Sequence, residues 1–271
     1  MSEHRPADPR TSIVIPARNE AANLEVLLPE LPPVHEVILV DGRSVDGTVD
    51  VARSVKPDIK VVDQTRRGKG NALACGFEAV TGDIVVMFDA DCSADPAEIP
   101  RFVDVLKSGA DFAKGSRFQP GGGSADITRL RAAGNRGLNV VANRMLRARY
   151  TDLCYGYNAF WVDVLPHLDL PSPSVSTLDG SSMIWGDGFE IETVINCRIA
   201  AAGLSVTEVP SYELYRVFGD SNLNAVSDGL RVLKTIGTER RRVSKLKEVR
   251  REAARARADE YMSRRTQRDI A

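Results

Sequence analysis

The sequence predicts an α/β fold with a mostly parallel, doubly wound sheet. Short apolar segments with the character of buried strands alternate along the chain with helical segments, which is the pattern of repeated β-α-β units. The 271 residues are 43% apolar, enough for one large domain with a packed core. Because parallel strands run in one direction, their carboxyl ends share one edge of the sheet.

Five strands are predicted within the first 114 residues, each a short apolar run bounded by polar or glycine-containing segments. Helices are predicted between them from their apolar periodicity. The predicted strands are Ser12–Pro16, Glu36–Val40, Ile59–Val62, Ile84–Phe88 and Asp111–Lys114, and the predicted helices are Glu20–Leu28, Thr48–Ser54, Gly70–Ala79 and Ala97–Lys107.

Polar functional groups follow each of the first four predicted strands directly. In an open parallel sheet such loops lie together at one edge, where ligands bind. We therefore expect a single binding crevice at the carboxyl edge of the sheet. The four loops are residues 17–20, 41–48, 66–71 and 89–91.

The fourth loop, Asp89-Ala90-Asp91, places two carboxylates at the end of a buried strand. Carboxylate oxygens suit Mg²⁺ or Mn²⁺, which bind one or two protein carboxylates and fill their other positions with water and substrate phosphates. The alternative is that these residues only end the strand and help to cap the helix that begins near Pro96, with Asp95 as its N-cap. The convergence of four loops favours a metal site that holds a diphosphate.

Composition argues against several classes of function. The net charge is −1, and no aromatic residue interleaves with the basic ones of the C-terminal segment before Tyr261, so we expect no nucleic-acid binding. No apolar run approaches the roughly 20 residues of a membrane-spanning helix, and Met1–Arg10 lacks a signal-peptide core, so we expect a cytoplasmic protein. The scattered cysteines and histidines suggest no zinc site and leave carboxylates as candidate general bases.

Five motifs resemble family-two glycosyltransferases of the GT-A fold, and their order and spacing match as well. The resemblance covers about residues 11–240 and is strongest to the branch that transfers sugars to polyprenyl phosphates, whose members include dolichol-phosphate mannosyl- and glucosyltransferases. The motifs are Ile13-Val14-Ile15-Pro16-Ala17-Arg18-Asn19-Glu20, Val40-Asp41-Gly42 with Ser44 and Asp46-Gly47-Thr48, Gly68-Lys69-Gly70, Asp89-Ala90-Asp91, and Gly115-Ser116-Arg117-Phe118.

This resemblance implies a metal-dependent, inverting transfer from a nucleotide-diphosphate sugar, UDP- or GDP-linked, with Mg²⁺ or Mn²⁺ as the cofactor. It implies that Asp91 is the direct metal ligand and that Asp89, the second candidate ligand, lies closer to the nucleotide. The residues implied for binding of the donor nucleotide are Pro16, Ala17, Asn19, Glu20, Asp41, Lys69, Asp89 and Ala90.

Inverting transfer needs a base on the acceptor side, unless the acceptor is already an anion such as a phosphate. The segment that contains Asp187, Glu190 and Glu192 resembles the family's acidic segment beneath the acceptor site. Asp187 and Glu190 are the candidate catalytic carboxylates. Because Glu190 and Glu192 are two residues apart, a helix would point them in different directions.

Cationic and polar candidates for contact with the acceptor lie in the middle and C-terminal parts of the chain. Tyr215–Asn222 resembles the family's Arg-x-x-Gly-x-Ser-Lys loop and makes Arg216 a candidate catalytic residue, although Asn222 replaces the usual lysine and weakens the case for a polyprenyl phosphate. Asp152–Phe160 resembles the family's segment beside the acceptor pocket. The candidate acceptor-binding or phosphate-binding residues are Arg117, Arg131, Asp152 and Ser221.

The sequence leaves the acceptor open between a polyprenyl phosphate and a soluble hydroxyl compound. A lipid phosphate would depend most on Arg117, Arg131 and Arg216, whereas a hydroxyl would require Asp187 or Glu190. Two other functions also stay open. One is a sugar-phosphate nucleotidyltransferase, although its glycine-rich N-terminal loop is missing, and the other is a non-catalytic nucleotide-sugar-binding protein.

We expect three segments: a disordered N-terminus over residues 1–10, a GT-A glycosyltransferase domain over residues 11–238, and a basic, helical tail over residues 239–271. The tail would bind anionic lipid, form a homo-oligomer or stay solvated. The predicted helix Ile127–Arg149 carries an apolar stripe that includes Leu130, Leu138 and Val141. This stripe either packs on the sheet or lies on a membrane, which would place the protein at the inner membrane face.

Overall fold

The computed structural model describes residues 5–175, 183–219, 229–246, 248, 251 and 252. Its strands are β1 (Thr11–Ala17), β2 (Glu36–Asp41), β3 (Lys60–Asp63), β4 (Ile84–Met87), β5 (Phe112–Ser116), β6 (Gly123–Ser124), β7 (Asn158–Trp161), β8 (Val206–Pro210) and β9 (Tyr212–Glu213). Within these residues, seven strands form one sheet in the order β3-β2-β1-β4-β7-β5-β8, and β6 pairs with β9 separately. Only β7 runs antiparallel to its neighbours in the described sheet, so the predicted mostly parallel α/β sheet is confirmed.

The helices cover the sheet in the manner of a doubly wound fold. They are α1 (Ala21–Glu30), α2 (Thr48–Val55), α3 (Lys69–Ala79), α4 (Ile99–Lys107), α5 (Arg129–Leu146), α6 (Leu165–Leu168), α7 (Ile191–Ala202) and α8, which is helical over residues 229–246. The chain passes from β1 to β2 and on to β3 through α1 and α2, which lie on the same face of the sheet and pack on each other. Helix α3 then returns the chain to β4, on the other side of β1. The strand order therefore reverses between β1 and β4, and this is where open α/β sheets bind ligands.

The central strands are apolar on both faces because helices cover both sides of the sheet. Ile13 and Ile15 of β1, Ile38 of β2 and Val86 of β4 are fully buried. Asp95 accepts a hydrogen bond from Ala97 N at 2.9 Å, and this confirms it as the N-cap of the short 3₁₀ turn that precedes α4. The burial of these strands fixes the positions at which their C-terminal loops leave the sheet.

Helix α5 is attached to the domain by asparagine side chains. Asn139 accepts a hydrogen bond from Leu153 N at 2.9 Å, and Asn143 exchanges two hydrogen bonds of 2.8 Å with the Tyr150 backbone. The outward face is partly apolar, since Leu130 is 73% exposed. Of the predicted stripe, Leu130 and Val141 are exposed, whereas Met145 packs against a small core cluster that includes Cys197 of α7. Val140 is exposed as well, next to Arg129, Arg136, Arg144 and Arg147.

The two chain ends contact the domain where they are described. In the N-terminal segment expected to be disordered, Arg5 lies 2.7 Å from Asp111 and 2.9 Å from Asp163. In α8, Glu239 is fully buried and pairs with Arg198 at 3.0 Å, so the first residue of the expected tail belongs to the packed domain. Among the described residues, no helix is long and apolar enough to cross a membrane.

Candidate active site

A cavity of about 1280 Å³ lies at the carboxyl edge of the sheet. It spans the point where the strand order reverses, between the ends of β1 and β4. All four loops that the sequence places at this edge contribute to it. Their lining residues are Pro16, Ala17, Arg18, Glu20, Gly42, Arg43, Arg66, Arg67, Gly68, Lys69, Asp89, Ala90 and Asp91.

The loops after β1 and β2 brace each other at one end of the cavity. Asn19 adopts a left-handed backbone conformation, with a φ of 58°. It receives a hydrogen bond from Val45 N at 2.9 Å, and its own N–H donates to Ser44 Oγ at 2.9 Å. Asp41 accepts from Ser44 N at 3.1 Å. Asn19 and Asp41 thus shape the two loops, while Pro16, Ala17 and Gly42 form the cavity surface.

Lys69 joins two acidic side chains on the floor of the cavity. Its Nζ lies 2.7 Å from Asp89 Oδ1 and 2.6 Å from Glu192 Oε1. Burial alone would lower the pKa of Lys69, but the two carboxylates outweigh it and raise the pKa above its ordinary value. A Cβ atom at Gly156 would lie within 3.4 Å of all three groups, so glycine leaves this cluster open to the cavity. Glu192 was not among the predicted catalytic residues, yet it is the acidic group of α7 that reaches the cavity.

Asp91 is the candidate metal ligand that faces the cavity. Its Oδ1 accepts a hydrogen bond from Ser93 N at 3.0 Å, and its Oδ2 lies 2.7 Å from Arg216 Nη2. Among the described residues, no group of three or more His, Cys, Asp or Glu side chains is placed to hold a metal ion. In the described part of the chain, the cavity offers two carboxylates after β4, Asp89 paired to Lys69 and Asp91 paired to Arg216. This donor set fits Mg²⁺ or Mn²⁺ that arrives with a diphosphate, since such ions complete their coordination with phosphate oxygens and water.

Glu20 lies near the same carboxylate. Its Oε2 accepts a hydrogen bond from Asn23 Nδ2 at 2.6 Å. Burial raises the pKa of Glu20, and the neighbouring Asp91 raises it further. This part of the cavity therefore carries two acidic groups, Glu20 and Asp91, near Arg216.

The two predicted catalytic carboxylates are engaged within the protein. Asp187 is buried and forms a bidentate pair with Arg66, with distances of 2.7 and 2.9 Å. It does not line the cavity, whereas Arg66 does. Glu190 accepts hydrogen bonds from Gly186 N at 3.1 Å and Gly188 N at 3.3 Å. As the spacing of two residues predicts, Glu190 and Glu192 point in different directions.

The backbone around Asp187 is in direct contact with the first turn of α3. Gly70 N and Asn71 N donate to the Asp187 carbonyl at 2.7 and 3.2 Å. A Cβ atom at Gly70 would lie 1.8 Å from Gly186 O, so only glycine permits this approach. This backbone contact fixes the position of the helical turn that contains Lys69.

The predicted acceptor residues divide between the cavity wall and its mouth. Arg117 forms a bidentate pair with Asp152, at 2.7 and 3.0 Å, and also lies 2.9 Å from Glu213. Asp152 is fully buried, so this pair holds the wall together. Arg131 lines the cavity and pairs with Asp126 at 3.1 Å. Ser221 and Asn222 lie outside the described residues.

The N-terminal parts of α5 and α8 form one side of the cavity lining, where apolar side chains lie beside the charged Arg131 and Arg231. Leu130 and Leu230 are exposed there, as is Phe189 from the segment before α7. Leu138 and Leu233 continue the same apolar lining. The lining of one cavity therefore combines acidic groups at the edge of the sheet with apolar side chains from α5 and α8.

A doubly wound sheet whose β1, β2 and β4 loops surround a cavity with two carboxylates has the architecture of the GT-A fold. The sequence family gives the finer assignment. Residues 12–168 match the model of glycosyl transferase family 2, and the chain belongs to that family.

Several characterised proteins are similar over most of the chain. The polyprenol monophosphomannose synthase of Mycolicibacterium smegmatis is 30% identical over 227 residues, which are 79% of this chain and 81% of that one. The undecaprenyl-phosphate mannosyltransferase of Micrococcus luteus is 30% identical over 225 residues, covering 79% and 88% of the two chains. The family resemblance and the enzyme class expected from the sequence are confirmed.

A solved structure supports the fold assignment. Glucosyl-3-phosphoglycerate synthase from Mycobacterium tuberculosis, in complex with Mn²⁺, UDP and glucosyl-3-phosphoglycerate, superimposes with a TM-score of 0.65. The alignment covers 88% of this chain and 86% of that one at 23% sequence identity. At this identity, the similarity establishes the GT-A fold alone.

Proposed function

We propose that this glycosyltransferase moves a sugar from a nucleotide-diphosphate sugar to a polyprenyl phosphate, with inversion at the anomeric carbon. The observation that carries the proposal is the continuity of the cavity. Its floor bears Asp91, Lys69 and Glu192, and its opening is lined by Leu130 and Leu230. A charged donor and an isoprenoid chain can therefore approach the same point from opposite ends.

The relatives support this choice of substrates. Those of Mycolicibacterium smegmatis and Micrococcus luteus carry names that specify a polyprenol or undecaprenyl phosphate and mannose. The solved complex with UDP and Mn²⁺ supports a nucleotide diphosphate and a divalent cation as ligands of this fold. Transfer of mannose from a UDP- or GDP-linked donor is therefore the first reaction to test. As a glycosyltransferase, the protein is neither a nucleotidyltransferase nor a non-catalytic binding protein.

In the proposed reaction, a phosphate oxygen of the lipid attacks the anomeric carbon. The bond from that carbon to the diphosphate oxygen breaks, and its electron pair leaves with the nucleoside diphosphate. A phosphate acceptor is already an anion, so it needs no general base. This agrees with the burial of Asp187 in its pair with Arg66, while Glu190 accepts a hydrogen bond from Gly186 N and borders a smaller neighbouring cavity.

The remaining candidate residues position the two substrates. The loops that contain Pro16, Ala17, Asn19 and Asp41 would hold the nucleoside, and Ala90 would border it. Asp91 would hold Mg²⁺ or Mn²⁺, and the bound cation supplies Lewis-acid stabilisation of the departing diphosphate. Arg131 and Arg216 would meet phosphate oxygens, which guanidinium groups bind well. Arg117 and Asp152 would keep the acceptor wall in place through their buried pair.

The outward face of α5 supports contact with an anionic bilayer. Leu130, Val140 and Val141 are exposed on it between arginines. Apolar side chains flanked by arginine suit the interface between lipid headgroups and acyl chains. Because Leu130 also borders the cavity mouth, this orientation would bring the lipid phosphate to the opening. The expected homo-oligomer through the tail stays a prediction, since most of residues 239–271 lie outside the described part of the chain.

The decisive test is turnover with defined substrates. Purified protein is incubated with Mn²⁺ and UDP- or GDP-linked sugars, and undecaprenyl phosphate in detergent is compared with soluble sugars as the acceptor. The proposal expects nucleoside diphosphate release and a glycosylated lipid phosphate, identified by mass spectrometry. Product formation only with a soluble hydroxyl acceptor would reject the lipid acceptor.

Binding experiments test the cation site separately. A nucleotide sugar at about 100 times its dissociation constant should stabilise the fold by about 2.7 kcal/mol. Asp91→Asn should remove the Mn²⁺-dependent part of this stabilisation. Asp83→Asn is a matched control because Asp83 precedes the same strand that Asp91 follows, at the opposite edge of the sheet. An unchanged Mn²⁺ effect in Asp91→Asn would reject Asp91 as the ligand.

A further inference from the structure

The segment of residues 214–219, here called the strap, contacts the loop after β4 at two points. Leu214 N donates a hydrogen bond to Ser93 O at 2.8 Å. Two residues later, Arg216 Nη2 lies 2.7 Å from Asp91 Oδ2. The strap therefore carries a cationic side chain directly onto the candidate metal ligand.

Asn23 of α1 holds the far end of the strap. Phe218 N donates to Asn23 Oδ1 at 3.2 Å, and Asn23 Nδ2 donates to Phe218 O at 3.3 Å. The same amide nitrogen donates to Glu20 Oε2 at 2.6 Å, which fixes the orientation of the amide group. Asn23 is 4% exposed and does not line the cavity, so it acts on the site through the strap and through Glu20, which does line the cavity.

These contacts engage both oxygens of the Asp91 carboxylate. Oδ1 accepts from Ser93 N and Oδ2 faces Arg216. A divalent cation at Oδ2 competes with Arg216, because two cations at one carboxylate oxygen repel each other. A nucleotide diphosphate offers Arg216 another strong anionic partner, since guanidinium groups form charge-assisted hydrogen bonds with phosphate.

We propose that Arg216 is the resident counter-ion of Asp91 in the ligand-free protein, held there by Asn23, and that it makes tight cation binding depend on the nucleotide diphosphate. The inference rests on the proposed function and adds a regulation of its cation site. Cation and nucleotide then strengthen each other's binding, because the nucleotide removes the competitor of the cation. Asn23 is a positioning residue for this exchange.

The test measures Mn²⁺ binding without turnover. Free Mn²⁺ is followed by electron paramagnetic resonance during titration into the full-length protein, with and without saturating UDP or GDP. Arg216→Gln removes the competing charge. Arg131→Gln is the matched control because it removes the same charge from the same cavity, where Arg131 contacts Asp126 instead of Asp91.

Arg216→Gln should bind Mn²⁺ about tenfold more tightly than the wild type in the absence of nucleotide, within the usual range of coupling between two sites. The ratio of the Mn²⁺ dissociation constants without and with nucleotide should shrink accordingly. Arg131→Gln should leave the nucleotide-free constant within about twofold of the wild type, because Arg131 is not the partner of Asp91. Asn23→Ala should shift that constant in the same direction as Arg216→Gln but less, and a purely structural role for Asn23 would not.

Two negative results have different meanings. If the wild type binds Mn²⁺ with a nucleotide diphosphate but Arg216→Gln has an unchanged nucleotide-free constant, the counter-ion role is overturned and the proposed function stands. An equal effect of Arg131→Gln would also overturn it, since general electrostatics would then explain the change. If the wild type binds neither nucleotide diphosphate nor Mn²⁺ in their joint presence, the proposed metal-dependent function fails as well.

Discussion

Replacement of Asp187 separates a structural role from a catalytic one. Its carboxylate and the Arg66 guanidinium form two hydrogen bonds of 2.7 and 2.9 Å, and the two side chains are only 1% and 2% exposed. Asp187→Ala leaves a buried guanidinium without its anion. Breaking a buried ion pair in this way costs about 3–5 kcal/mol of unfolding free energy.

The remaining contacts of Arg66 set where in this range the loss should fall. Its Nη1 also donates to the carbonyl oxygens of Ser172 and Val175, each at 2.9 Å. These neutral acceptors partly solvate the charge after the carboxylate is removed, so we expect a loss near the lower end, about 3 kcal/mol. At about 2–4 °C per kcal/mol for a domain of this size, the melting temperature should fall by about 6–12 °C.

The assay is denaturant unfolding of four proteins: the wild type, Asp187→Ala, Arg66→Met and the double variant. In a structural pair, the double variant should recover part of the stability lost in Asp187→Ala, because it buries no unpaired charge. Asp187→Asn keeps the shape of the side chain and should lose less stability than Asp187→Ala.

Kinetics of the same variants supply the refutation. Loss of a general base lowers turnover by about 10²–10⁴-fold. If Asp187→Asn retained wild-type unfolding free energy and bound substrate normally but lost turnover by such a factor, the structural interpretation would be refuted and Asp187 would be the base. A loss of stability with turnover preserved at low temperature would support the structural role.

Two further predictions concern buried charges elsewhere in the domain. Glu239→Ala should destabilise the protein by about 3–5 kcal/mol, because it strands the buried Arg198 and removes the acceptor of Trp185 Nε1, 2.9 Å away. Urea unfolding measures this loss against the exposed Glu248→Ala on the same helical segment, and equal stabilities of the two variants would contradict it. Burial lowers the pKa of Lys114 in the folded protein below its ordinary value of 10.5. Between the lowered pKa and 10.5, the unfolded state therefore binds more protons at this group than the folded state does. The contribution of Lys114 to the free energy of unfolding rises with pH in that window. Lys114→Met should lack this rise. The free energy of unfolding of the wild type, measured relative to the variant, should therefore increase as pH rises toward 10.5. A difference between the two proteins that is independent of pH would contradict the prediction.

Local sequence patterns predicted the strands and loops that surround the sheet-edge part of the cavity. Buried strands such as Ile84–Met87 have continuous apolar residues, and the polar loops that follow them lie at one edge because the strands are parallel. This reasoning required no knowledge of distant contacts. It brought Asp89, Asp91 and Lys69 to one cavity.

Partner choice among charged residues could not be predicted in the same way. Arg66 and Asp187 are separated by 121 positions, and no local pattern indicates that they pair. Glu192 reaches Lys69 because α7 begins beside the floor of the cavity, which depends on the whole chain path. The spacing of Glu190 and Glu192 indicated only that both could not face the same way.

Hydrophobic periodicity also could not predict which face of α5 points toward the domain. An apolar stripe normally marks the inward face of a helix. Here Asn139 and Asn143 bind the backbone of residues 150–153 and occupy the inward face. Hydropathy does not register amide-to-backbone hydrogen bonds, so it predicted the helix but not which side faces the domain.

Because α5 is attached through these amide groups, the stability of the domain depends little on which residues occupy the outer face of the helix. Amide groups at Asn139 and Asn143 anchor the helix, while the exposed Val140 and Val141 belong to neither core cluster and do not line the cavity. Exchanging these outward side chains should change what the helix meets without loosening what it is fastened to. A few substitutions on this face can therefore make it suit contact with water, with a bilayer or with another protein, while the fold of the domain stays the same.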